Sequence, residues 1–141
     1  MNDLVRHEGG CFCGAVRYRA TGDPTALTLC HCESCRKSAG APSVAWTVFR
    51  AADFRFTAGT PAIHESSPGV ERSFCPNCGT SLTYRSASRP DVTDVTTASL
   101  DDPDRFAPKF EIWVEEKLAW EVVDHTRPRY PRSSKTSQPL P

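Results

Sequence analysis

The chain has 141 residues, enough for one domain with its own core, and its apolar fraction of 38% with 12 prolines and 8 glycines points to a small core and many turns. Charge is balanced at 17 basic and 17 acidic residues, which argues against a nucleic-acid binder, and no apolar run approaches the roughly 18 residues needed to cross a membrane. Seven cysteines offer the staple such a domain needs; seven thiolates around two divalent ions would bring the net charge to about −3.

Residues 1–8 are polar and read as a loose lead-in. They lack the apolar stretch of an export signal, which predicts a reducing cytoplasm, where paired cysteines favour metal over disulfide. Gly9-Gly10-Cys11-Phe12-Cys13-Gly14 is the first cysteine group, with glycines that allow a tight turn. Ala15–Ala20 alternates in period two, with Val16 and Tyr18 on one face and Arg17 and Arg19 on the other, as in a strand with one wet side. Ala26–Leu29 leads as a short strand into Cys30-His31-Cys32-Glu33-Ser34-Cys35, and Arg36–Gly40 reads as one helical turn ended by Gly40.

Ser43–Phe49, Asp53–Thr57, Ile63–Glu65 and Glu71–Phe74 read as further extended pieces, separated by Gly/Pro turns. Cys75-Pro76-Asn77-Cys78-Gly79 is the third cysteine group. Strands are expected again at Thr80–Arg85, Val92–Thr97, Phe110–Val114 and Trp120–Val123, with one helical turn near Pro103. Trp46, Trp113 and Trp120 read most simply as core residues. From Thr126 the chain turns to Pro, Arg and Ser, so the division is a lead-in at 1–8, one zinc-binding domain at 9–131 and a flexible tail at 132–141. The fold class is all-β.

The spacing of the cysteines is that of metal ligands. A C-x-x-C followed by glycine wraps a metal in one turn; the redox version of the motif would open a helix in a βαβ unit, which is absent here. Pairing Cys11 and Cys13 with Cys75 and Cys78 closes a four-thiolate site and leaves Cys30, Cys32 and Cys35 as a separate set of three. The alternative is a single zinc, with Cys11 a buried thiol. Three protein ligands with an open fourth position is the usual form of a catalytic zinc, and four that of a structural one. His7, His64 and His125 stay open as a fourth ligand, whereas His31 would be strained between its neighbours. Arg36 and Lys37, next to the last of the three cysteines, are candidates to attract an anionic substrate.

Gly10–Gly14, Cys30–Gly40 and Phe74–Leu82, continued by Ser99–Pro103, Ile112-Trp113 and Lys117–Trp120, resemble the glutathione-dependent formaldehyde-activating enzyme family, whose eukaryotic relatives include centromere protein V. The resemblance implies a single-domain β-tent of coiled sheets stapled by two zinc ions. It implies a structural zinc on Cys11, Cys13, Cys75 and Cys78, and a catalytic zinc on Cys30, Cys32 and Cys35. Glu111 departs from the pattern, because the family often has histidine there.

The activity so implied is that of a zinc-dependent carbon–sulfur lyase joining or releasing a small thiol such as glutathione and an aldehyde such as formaldehyde. The alternative is a non-catalytic zinc module that binds a protein partner. A basic tail (Arg127, Arg129, Arg132, Lys135) is weak ground for nucleic-acid binding.

Overall fold

The structure, a computed structural model, describes residues 4–141; residues 1–3 of the expected lead-in lie outside it. Its strands are β1 (Arg6–Gly10), β2 (Arg17–Thr21), β3 (Ala26–Cys30), β4 (Val44–Arg50), β5 (Phe54–Ala58), β6 (Ala62–Ser67), β7 (Val70–Phe74), β8 (Ser81–Ser86), β9 (Val92–Thr96) and β10 (Phe110–Ile112). A single α-helix among the described residues, α1 (Glu33–Ala39), interrupts them. The class is mainly β, as the alternating patterns require.

β1, β2 and β5 form one sheet in that order; the other seven strands run β10-β3-β4-β9-β8-β7-β6. Pairing is antiparallel throughout except between β10 and β3. The main core lies between the sheets. Val16, Tyr18 and Ala20 from one side meet Phe49, Leu82 and Val95 from the other, with Leu100 and Phe106 closing an end. Arg17 and Arg19 point outward and pair with Asp101 and Glu8, as period two demands. A side chain at Gly9 would collide with the Tyr18 ring, so the close approach of β1 to β2 needs glycine there.

The opposite face of the seven-stranded sheet carries Thr28, Cys30, Trp46, Tyr84, Asp94 and Arg72, all bordering one cavity. Leu82 escapes this face through a register shift: Ser73 pairs with Thr83 but Phe74 pairs with Ser81. The skipped Leu82 turns into the core while Tyr84 keeps to the cavity side.

Four elements differ from expectation. β1 begins at Arg6, inside the supposed lead-in, because His7 is buried between the rings of Phe49 and Phe106 and gives the strand an inward face. The helix starts three residues early, at Glu33, since Cys32 caps it. β10 stops at Ile112, where Trp113 takes a left-handed φ of 57°. Trp120–Val123 forms no strand: the edge beside β10 is taken by 128–130, with Glu111 N donating to Pro128 O and Tyr130 N to Glu111 O, both at 2.9 Å. Trp120 is accordingly 69% exposed and not a core residue. The last segment is tied back as Trp113 N donates to Arg132 O and Leu140 N to Arg129 O. No helix among the described residues is long and apolar enough to cross a membrane.

Candidate metal centres

Two turns of similar build bring the first cysteine set together. In one, Cys11 N donates to Val16 O at 3.0 Å, Gly14 N returns to Cys11 O, and Gly14 has a φ of 81°. In the other, Cys75 N donates to Thr80 O at 3.0 Å, Gly79 N returns to Cys75 O, and Gly79 has a φ of 83°. Phe12 N donates to Thr80 Oγ1 and Asn77 Nδ2 to Cys13 Sγ, locking one turn on the other. Cys11, Cys13, Cys75 and Cys78 then hold their sulfurs within 4.8 Å of one another.

Measured separations are 3.6 Å for Cys11–Cys13 and 3.8 Å for Cys13–Cys75. A tetrahedral ion with Zn–S bonds of about 2.3 Å has sulfur–sulfur edges of about 3.8 Å, so the donor set fits. Backbone N–H groups already point at the sulfurs: Val16 N at Cys11 and Cys78 N at Cys75. Hydrogen bonds from the side chain and backbone of Thr80 hold the Cys78 thiol down to about 5.

The second set is built by the end of β3 and the start of α1. Cys30 is the last residue of β3, Cys32 is the N-cap with its sulfur accepting from Cys35 N at 3.3 Å, and Cys35 lies one turn on. Gly40, with a φ of 65°, ends the helix. These three sulfurs also fall within 4.8 Å of one another, and no histidine, carboxylate or further cysteine among the described residues joins them. His31 is fully buried, but its Nε2 is taken by Glu111 Oε1 at 2.7 Å. His7 Nε2 is bonded to Gly22 O, and His64 and His125 are exposed. The site is a three-cysteine cup without a fourth protein donor among the described residues.

A cavity of about 400 Å³ opens on this cup. Trp46, Tyr84, Ile112 and Trp113 form its apolar walls, and Arg72, Arg89, Asp94 and Glu116 its charged ones. Hydrogen bonds with Cys30 and Cys32, helped by the charge of Arg72, hold the Cys35 thiol down to about 3; the same thiol contacts, with burial, push Cys30 up. Burial also raises the Asp94 carboxyl, with Arg89 acting against it.

Arg36 and Lys37 do not border the cavity. Arg36 Nε donates to His31 O at 3.1 Å and Nη2 to Glu116 O at 3.3 Å, which braces the cysteine turn. Lys37 is 77% exposed and faces Glu33 across a helical turn. The cation beside the sulfurs is instead Arg72, which spacing did not single out because it reaches them across the sheet. The register sets Arg72 opposite Tyr84 and Tyr84 opposite Asp94.

The family model for glutathione-dependent formaldehyde-activating enzymes matches residues 6–116. The chain belongs to this family. It is 33% identical over 89 residues to an uncharacterized lyase of Schizosaccharomyces pombe, across 57% of this chain and 58% of that protein, so the match spans little more than half of that relative. It is 30% identical over 127 residues to a Halomonas elongata protein named for the same family, across 83% of this chain and 80% of that one. A crystal structure of a Rhodobacter sphaeroides protein shares the fold at a TM-score of 0.57 and 24% identity, covering 67% of this chain and 87% of the other.

Within this formaldehyde-activating family frame, Glu111 is 1% exposed and stands behind the cysteine turn, not in the cavity wall. The segment after the matched region still contributes Ser133 to that wall.

Proposed function

We propose that the chain is a cytoplasmic, zinc-dependent carbon–sulfur lyase acting on the adduct of a small thiol and an aldehyde, with S-(hydroxymethyl)glutathione, formaldehyde and glutathione as the reference case. The observation that carries this reading is the three-cysteine cup with no fourth donor among the described residues, opening on a cavity of ligand size. The four-cysteine site takes the structural zinc and Cys30, Cys32 and Cys35 the catalytic one. Seven thiols gathered in two clusters, none in a disulfide, suit a reducing compartment.

In the reaction a sulfur–carbon bond forms, and the thiol proton ends on the former aldehyde oxygen; the reverse reaction breaks that bond. Cys30, Cys32 and Cys35 would hold the zinc, which would supply Lewis acidity to a sulfur or oxygen placed beside it. Trp46, Tyr84 and Trp113 give the cavity an apolar lining where the thiol and aldehyde would meet. Asp94 and Glu116 are the carboxylates that border the cavity, and both oxygens of Asp94 accept from Arg89. A partner-binding module would have a filled coordination sphere and no pocket beside it, and neither is found among the described residues.

The test is the rate of exchange between formaldehyde and its glutathione adduct, read by NMR saturation transfer with the zinc-loaded protein. Acceleration that vanishes in Cys32→Ser supports the reading. A rate equal to the buffer control refutes it for this aldehyde and thiol.

A further inference from the structure

We infer that Arg72 is the residue that sets which ligands the fourth position of the Cys30–Cys32–Cys35 site accepts, by making room electrostatically for an anionic sulfur. The inference rests on the proposed metal at that site. Three thiolates around a divalent ion carry a net charge of about −1, so a thiolate arriving there meets repulsion that a neutral ligand does not. Arg72 is the cation that answers it. Its Nη1 and Nη2 lie 3.6 and 3.7 Å from Cys35 Sγ, the two ends of one guanidinium on one sulfur.

That placement is built, not incidental. Nε donates to Ser66 Oγ and Nη1 to Ser38 Oγ, both at 3.2 Å, and Cζ stands 5.0 Å from the centroid of the Tyr84 ring. Arg72 therefore bridges three walls: the β6–β7 hairpin, α1 and β8. Lysine has neither the fork that spans a sulfur and a hydroxyl nor the flat face that stacks on Tyr84. The other guanidinium in the cavity, Arg89, is taken up by Asp94 through both terminal nitrogens. Arg72 is the one whose charge falls on the ligand sulfurs.

The experiment uses the full chain loaded with cobalt, whose visible spectrum reports a new ligand. Wild type, Arg72→Gln and Arg72→Lys are each titrated with 2-mercaptoethanol, which binds as an anion, and with imidazole, which binds neutral. Metal content and melting temperature are checked for every variant. The expected result is a loss of about tenfold or more in affinity for the thiol in Arg72→Gln, with imidazole changed far less and Arg72→Lys in between. Equal losses for both ligands would make Arg72 a structural brace and overturn the inference, as would no change for either. A wild-type spectrum that ignores both ligands would instead sink the open-site reading itself, and this inference with it.

Discussion

His31 and Glu111 form a buried pair behind the cysteine turn: imidazole Nε2 donates to carboxylate Oε1 at 2.7 Å, with the side chains 0% and 1% exposed. The other carboxylate oxygen accepts from Asp124 N at 3.3 Å, so one side chain ties the Cys30–Cys32 turn to the returning C-terminal segment. Glu111→Ala would strand a buried imidazole. We expect it to cost about 3 kcal/mol in denaturant unfolding, with Glu111→Gln much milder because an amide oxygen can still accept.

The two cysteine clusters should respond differently to the loss of one cysteine. Cys78→Ser opens the clip between the turns at Cys11–Gly14 and Cys75–Gly79, beside the main core, and should unfold or aggregate the protein. Cys32→Ser should stay folded with about half the metal, because serine is itself a good helix N-cap and the main core does not include Cys32. Metal analysis and thermal melting decide the matter. Equal collapse in both would show that the three-cysteine site is structural as well.

Arg36 and Lys37 should separate. Lys37→Ala should leave stability within about 0.5 kcal/mol of wild type and thiol affinity unchanged, since its ion pair with Glu33 is exposed. Arg36→Ala should lower stability by about 1–2 kcal/mol, through the loss of its bonds to His31 O and Glu116 O. Urea titration and calorimetry with glutathione read the two effects.

Much of the cysteine clustering was legible because each group of two or three cysteines is local in sequence. The C-x-C and C-x-x-C-G spacings each sit in one tight turn, and C-x-C-x-x-C spans the end of β3 and the start of α1. Period two likewise placed Val16 and Tyr18 inside and both arginines outside. What spacing could not carry is lateral neighbourhood. Arg72 and Asp94 enter the cavity through strand register and through the shift that turns Leu82 away, and neither leaves a local pattern. Proximity in sequence pointed to Arg36 and Lys37, but α1 spends one on backbone carbonyls and turns the other to solvent. Trp120 misled for a similar reason: a β-rich run becomes a strand only where an edge is free, and residues 128–130 take that edge.

Acid should weaken the fold through Asp101. A hydrogen bond from Arg17, with Nη1 3.0 Å from Oδ1, holds the Asp101 carboxyl below its usual 3.8. A carboxyl depressed in the folded state contributes stability above the unfolded value and loses it as pH falls through the folded one. Both side chains are at least a third exposed, so the contribution is about 0.5 kcal/mol. Asp101→Asn should lower stability by that amount at pH 7, with the difference closing below about pH 3.8. Denaturant melts across that range measure it.

Counting sulfur around zinc tests the open three-thiolate site most directly. X-ray absorption of the zinc-loaded protein should give about 3.5 sulfurs per ion, the mean of one four-cysteine and one three-cysteine site, with a lighter atom completing the second sphere. Adding a small thiol should raise the count toward four without changing the zinc content. A count of four before any thiol is added, or one that stays at 3.5 at saturating thiol, would contradict the account.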